Sequence, residues 1–125
     1  MSLQKYQAVQ RTTEHPRHTE YRLFAQVTRA LMDSKDKSGP QRIDALDWNR
    51  RMWLTLQSDL ADDRNKLPTQ LKASLISLSI WVDKHTSKAM TGNLPVEPLI
   101  AINRSIMEGL ASANAGARTV SRSAA

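Results

Sequence analysis

The sequence predicts an all-α protein, folded as a compact bundle of about four helices. Four stretches carry apolar residues at a spacing of three and four, and no stretch sustains the alternation of a strand. Glycine and proline residues separate these stretches. A chain of 125 residues can bury one modest core but not two. We therefore expect a single helical domain over residues 1–110.

The first two predicted helices lie on either side of Ser38-Gly39-Pro40. The first runs from about residue 17 to 36, and its apolar positions are Leu23, Phe24, Val27 and Leu31. The second runs from about residue 42 to 63, with apolar residues at Ile43, Leu46, Trp53, Leu56 and Leu60. Both patterns are typical of helices with one buried face.

The third predicted helix begins near Pro68, because proline fits the first turn of a helix. Its expected inner face consists of Leu71, Leu75, Leu78 and Val82. The fourth runs from about residue 96 to 110, with Leu99, Ile102, Ile106 and Leu110 on one face. Together the four apolar faces supply one core.

The two ends of the chain have a different character. Residues 3–13 predict a short extra helix or an arm, since Leu3, Tyr6, Val9 and Gln10 have a weak helical spacing. From Ala111 onward small and polar residues prevail, with almost nothing to bury. The sequence therefore predicts a disordered tail over residues 111–125.

Composition excludes several classes of function. Cysteine is absent, which rules out disulfides, thiolate metal sites and a cysteine nucleophile. The net charge of +6 is spread along the chain, without the block of basic and aromatic residues that is typical of a nucleic-acid domain. The first residues lack the apolar core of a secretory signal, and no apolar run reaches membrane-spanning length. We expect a cytoplasmic protein.

Polar residues interrupt the predicted core in three helices. Glu20 lies in line with the apolar face of the first helix, where a carboxylate needs a partner. Two Asn-Arg pairs lie within apolar helical patterns of the second and fourth helices. We expect a polar clasp that fixes helix register, formed by Glu20, Asn49, Arg50, Asn103 and Arg104. The alternative is that Glu20 contacts a partner directly.

Two pairs of side chains fall off the predicted core faces and are candidates for partner binding. On the second helix these are Trp48 and Arg51, residue types that are enriched in interface hot spots. Alternatively, Trp48 packs under the N-terminal arm or the first loop. On the third helix Ile76 and Ile80 lie opposite the inner face. Either this helix is central in the bundle, or the two isoleucines form a docking groove for an amphipathic helix.

Residues capable of catalysis are few and poorly arranged. His15 and His18 flank Pro16 and Arg17, and His85 stands alone near the end of the third helix, where we expect a capping or packing role. No phosphate-binding loop, nucleophile motif or metal-ligand cluster is present in the sequence. We therefore expect neither enzymatic activity nor a cofactor nor a metal.

Over roughly residues 3–110 the chain resembles the FlaF family of flagellar biosynthesis regulators. The resemblance is carried, in order, by Tyr6-Gln7 with Arg17-x-x-Glu20, by Asn49-Arg50-Arg51-x-Trp53, by Leu67-Pro68 through Trp81-Val82, and by Leu99-Ile100-x-Ile102-Asn103-Arg104 through Gly109-Leu110. It implies a small helical, non-enzymatic protein that binds flagellin before export and supports its production and secretion. In that family the protein opposes a second regulator, FlbT, which is a further possible partner.

A rival to flagellin binding is direct binding of RNA, in which a diffuse basic surface would contact the flagellin message. The sequence favours a protein partner, because it lacks the interleaved basic and aromatic residues that single-stranded RNA recognition uses.

Overall fold

A computed structural model describes residues 16–92 and 94–109, with side chains from residue 21 onward. In these ranges the chain forms four helices and no strand, which confirms the all-α prediction. They are α1 (Pro16–Asp33), α2 (Pro40–Ala61), α3 (Thr69–Thr91) and α4 (97–109). The predicted arm at 3–13, the tail at 111–125 and the side chain of Glu20 lie outside the described residues.

Local chemistry explains why α1 ends at Asp33, three residues before the predicted end. The hydroxyl of Ser34 donates to the carbonyl of Leu31 at 2.7 Å, so a side chain replaces the next helical hydrogen bond. Gly39 then adopts a φ of 69°, a conformation that favours glycine. Pro40 follows in the first turn of α2, where its missing N–H is not needed.

The end of α2 is set by Asp62. Its backbone is extended, and its carboxylate accepts hydrogen bonds from the backbone and guanidinium of Arg64. The Arg64 side chain holds the pKa of Asp62 below its usual value. This local pair closes the turn that leads toward α3.

Helix α2 is the central element of the described bundle. It packs against α1 and α3, and it reaches α4 through a hydrogen bond between Trp53 and Asn103. Its buried residues are Ala45, Leu46, Asn49, Met52, Trp53 and Leu60. Leu46, Trp53 and Leu60 were predicted on the core face, and that prediction is confirmed.

Helices that follow one another in the sequence run in opposite directions. The ring edge of Phe24 in α1 meets Trp53 at a centroid distance of 5.7 Å, past the middle of α2. At the other end of α2, the guanidinium of Arg42 donates to the carbonyls of Ala89 and Leu94, just before α4. Consequently the start of α1, the end of α2 and the start of α3 lie at the same end of the bundle.

The interpretation of α3 as the central helix is wrong for the described residues. Its buried side chains are Ser79, Val82, Thr86 and Ala89, all in its second half. Leu71, predicted on the inner face, is 45% exposed, and Leu23 in α1 is also exposed. Periodicity identifies which face of a helix is apolar, but not how far along that face the neighbouring helices extend. The first half of α3 is therefore peripheral among the described helices.

Candidate docking surface and buried polar network

A buried chain of hydrogen bonds joins α2 to α4. The indole N–H of Trp53 donates to Oδ1 of Asn103 at 2.9 Å, and Nδ2 of Asn103 donates to Oδ1 of Asn49 at 2.8 Å. Both asparagines are completely buried. Burying these amides would be costly without such partners, so the network fixes how α4 sits on α2. Nδ2 of Asn49 has no partner among the described residues.

The two arginines of the predicted clasp lie elsewhere. Nη2 of Arg50 donates to Oδ1 of Asp47 at 2.9 Å, one turn back on the same helix. Arg104 is exposed, and its guanidinium lies 3.5 Å from the sulfur of Met32. The structure thus brings Asn49 and Asn103 together at the core and leaves Arg50 and Arg104 outside that pair. Whether Glu20 joins them stays a prediction.

Trp48 and Arg51 lie off the core face of α2. Trp48 is 36% exposed, and Arg51 forms an ion pair with Oδ2 of Asp47 at 3.0 Å. Asp47 therefore holds both Arg50 and Arg51 on one carboxylate. An exposed indole beside an oriented guanidinium is a combination that protein interfaces favour.

The exposed face of α3 is uncharged over nearly three turns. Residues 73–82 contain no charged side chain. Ile80 is 44% exposed, whereas Ile76 is half-buried. Helices that face water normally carry charged residues on that side, so this composition favours contact with another apolar surface.

Trp81 is a surface residue that the sequence interpretation did not single out. It is 41% exposed, and its ring stacks on His85 with the centroids 4.9 Å apart. Nε2 of His85 lies 2.8 Å from the carbonyl oxygen of Pro95, so the imidazole links α3 to the loop before α4. These contacts hold the indole in a fixed orientation at the surface.

Beside Trp81 runs a shallow groove along the first half of α3. We call it the Trp81 groove; it is lined by Gln70, Ala73, Ser74, Ser77, Leu78 and Trp81. Its small residues would let a second chain approach the helix backbone closely. The sequence signal for this groove is the uncharged run at 73–82, whose apolar residues fall on two faces of the helix.

The candidate surface on α3 is apolar and uncharged over residues 73–82. In the described ranges, no group of three histidine or acidic side chains could hold a metal ion. None of the helices described there is long and apolar enough to cross a membrane.

Comparison with known proteins identifies the family. Residues 2–110 match the sequence model of the family described as flagellar protein FlaF, a span that includes all four helices. No curated protein and no solved structure matches the chain. The family match covers most of the 125 residues and agrees with the order of motifs along the chain. The chain therefore belongs to the FlaF family of flagellar proteins.

Proposed function

We propose that this protein binds flagellin in the cytoplasm, supports its production and secretion, and acts as a chaperone before export. Membership of a flagellar family supports the choice of partner. The observation that carries the proposal is the uncharged stretch of α3 at residues 73–82, in which Ile80 is 44% exposed. A chaperone for a polymerising protein needs such an apolar surface to cover the surface that would otherwise self-assemble.

The mechanism is physical and requires no bond to form or break. The terminal segments of flagellin form amphipathic helices in the assembled filament. One of these would lay its apolar face against Ile76 and Ile80, with Trp48 as a second anchor. Arg51 would orient the complex and raise its rate of association more than its strength.

Binding is tested by mixing the purified protein with monomeric flagellin and measuring the mass of the complex after size exclusion. We expect a stable complex whose affinity changes little with salt, because apolar contact dominates. A steep loss of affinity with salt would indicate contact between charges. Binding to flagellin message with that salt dependence, and no complex with flagellin itself, would contradict the proposal in favour of RNA.

A further inference from the structure

We infer that the N-terminal segment of this chain, residues 3–10, docks in the Trp81 groove of its own protein. The inference does not rest on flagellin binding, because it concerns the free protein. The groove adjoins the proposed flagellin surface, since Ala73 lies about 20° from Ile80 around the helix. Ile80 and Trp81 are consecutive in α3, so their side chains diverge by about 100° around the helix.

The groove has the features of a site for a short apolar segment. Its floor consists of Ala73, Ser74 and Ser77, and Leu78 and Trp81 supply its apolar walls. The Trp81 ring is held by its stack on His85, so little side-chain freedom is lost when another chain packs on it. No charged side chain lies among residues 73–82 to oppose an apolar occupant.

The position of the groove favours the N-terminal segment. The groove begins at Gln70, in the first turn of α3. The start of α1 lies at this same end of the bundle, because both α1 and α3 run opposite to α2. The chain that precedes Pro16 therefore emerges at the end of the bundle where the groove begins, and residues 11–15 remain as a connection.

The length and composition of the segment also fit. The groove residues 70–81 span roughly 17 Å along the helix axis, and eight residues cover about 12 Å as a helix or up to about 27 Å extended. Residues 1–10 carry one charged side chain, Lys5. Their apolar side chains Leu3, Tyr6 and Val9 share one helical face, which would lie against Trp81 and Leu78.

The C-terminal tail is a poorer occupant. Residues 111–125 contain Val120 as their largest apolar side chain and two arginines. The family match also begins at residue 2 and ends at residue 110, so it includes the N-terminal segment and leaves out the tail. A tethered segment is docked in most molecules when its dissociation constant is lower than its effective concentration, which is of order mM for a short link.

The test uses a spin label on α3 of the full chain. Because the chain has no cysteine, Lys84→Cys provides one unique thiol one turn beyond the groove. We expect the label to weaken the amide NMR signals of residues 3–10 at least about twofold, as a mostly docked population requires, and to affect residues 112–125 less. Equal weakening at both ends, or none at residues 3–10, would overturn the inference.

Two variants and one mixture make the result specific. Ser77→Lys places a charge on the groove floor and should restore the signals of residues 3–10. Ser87→Lys, on an exposed position further along α3, should leave them weakened. Circular dichroism should show both variants folded.

Spin-labelled protein is also mixed with isotope-labelled protein that carries no spin label. Weakening in that mixture would assign the groove to a second copy and overturn the inference.

Discussion

Nδ2 of Asn103 donates a hydrogen bond to Oδ1 of Asn49 at 2.8 Å, across the buried interface between α4 and α2. Both side chains are fully shielded from water, in a core made largely of apolar residues such as Leu46 and Leu99. Two leucines would pack in many registers, whereas two amides bond in one. The pair therefore contributes specificity to the position of α4 as well as stability.

Asn103→Ala should destabilise the protein by about 2–4 kcal/mol. The change removes the acceptor of the Trp53 indole N–H and the donor to Asn49, and it leaves a small cavity. Urea unfolding followed by circular dichroism measures the loss. The matched control is Arg104→Ala on the exposed side of the same helix, which should cost less than about 0.5 kcal/mol.

The double variant Asn49→Ala/Asn103→Ala tests the coupling between the two amides. Because each single change already removes the hydrogen bond, the combined loss should be smaller than the sum of the two single losses by about 0.5 kcal/mol or more. Strict additivity would mean that the bond contributes nothing beyond the packing of each side chain.

Arg42→Ala should destabilise the C-terminal half of the bundle. The guanidinium donates to the carbonyls of Ala89 and Leu94, so it fastens the end of α3 and the loop before α4 to α2. Hydrogen bonds from charged groups contribute about 1.5–3 kcal/mol, and we expect a loss of that size in urea unfolding. Arg42→Lys should recover part of it, since an ammonium lacks the planar fork that spans two carbonyls.

The control for Arg42 is Arg29→Ala. Arg29 pairs with Asp33 one turn away, and both side chains are largely exposed. Exposed ion pairs contribute between zero and about 1 kcal/mol, so this variant should unfold close to the parent. An equal loss of unfolding free energy in Arg29→Ala and Arg42→Ala would show that the hydrogen bonds of Arg42 to Ala89 and Leu94 stabilise the protein no more than an exposed ion pair does.

Removal of residues 112–125 should leave the fold intact. The segment carries no apolar period and lies beyond the family match, so we expect no buried area to be lost. A change of 1 kcal/mol shifts the melting temperature of a domain of this size by about 4 °C. A decrease of more than a few degrees in thermal unfolding would show that the tail contributes to the fold.

The sequence predicts the buried face of a helix well where other helices cover the whole length of its apolar face. Phe24, Val27 and Leu31 in α1 and Leu46, Trp53 and Leu60 in α2 are all buried as the period indicates. It fails for Leu71, because an apolar period on a helix does not report whether another helix extends far enough to cover it. Helix ends are also missed where a side chain such as that of Ser34 competes for the last carbonyls.

The polar core shows a second limit of sequence reasoning. The Asn-Arg pairs stand out because they interrupt apolar patterns, and both asparagines do meet in the core. The arginines do not follow them, since a long side chain at the edge of a buried stripe can reach water or a nearby acid such as Asp47. The helical spacing of a residue predicts on which side of the helix its Cα atom lies. The partner of a long side chain depends instead on which residues of other helices lie nearby.

Truncation of the proposed flagellin surface should weaken binding more than folding. Trp48→Ala and Ile76→Ala/Ile80→Ala remove apolar contacts that lie off the buried core face. Hot-spot truncations cost 2 kcal/mol or more, so we expect flagellin affinity to decrease at least about thirtyfold in a binding titration. Ile76 is half-buried, so the double variant should also lose some stability, whereas Ile80→Ala alone should not.

The matched control is Leu54→Ala, at an apolar residue on α2 that is 46% exposed and lies about 120° from Trp48 around the helix. It should bind flagellin like the parent. Unfolding of Trp48→Ala or Ile80→Ala would place these side chains in the core and require another docking surface. Folded variants that bind with undiminished affinity would remove this surface from the mechanism, because no other property of Trp48 and Ile80 would then connect them to flagellin.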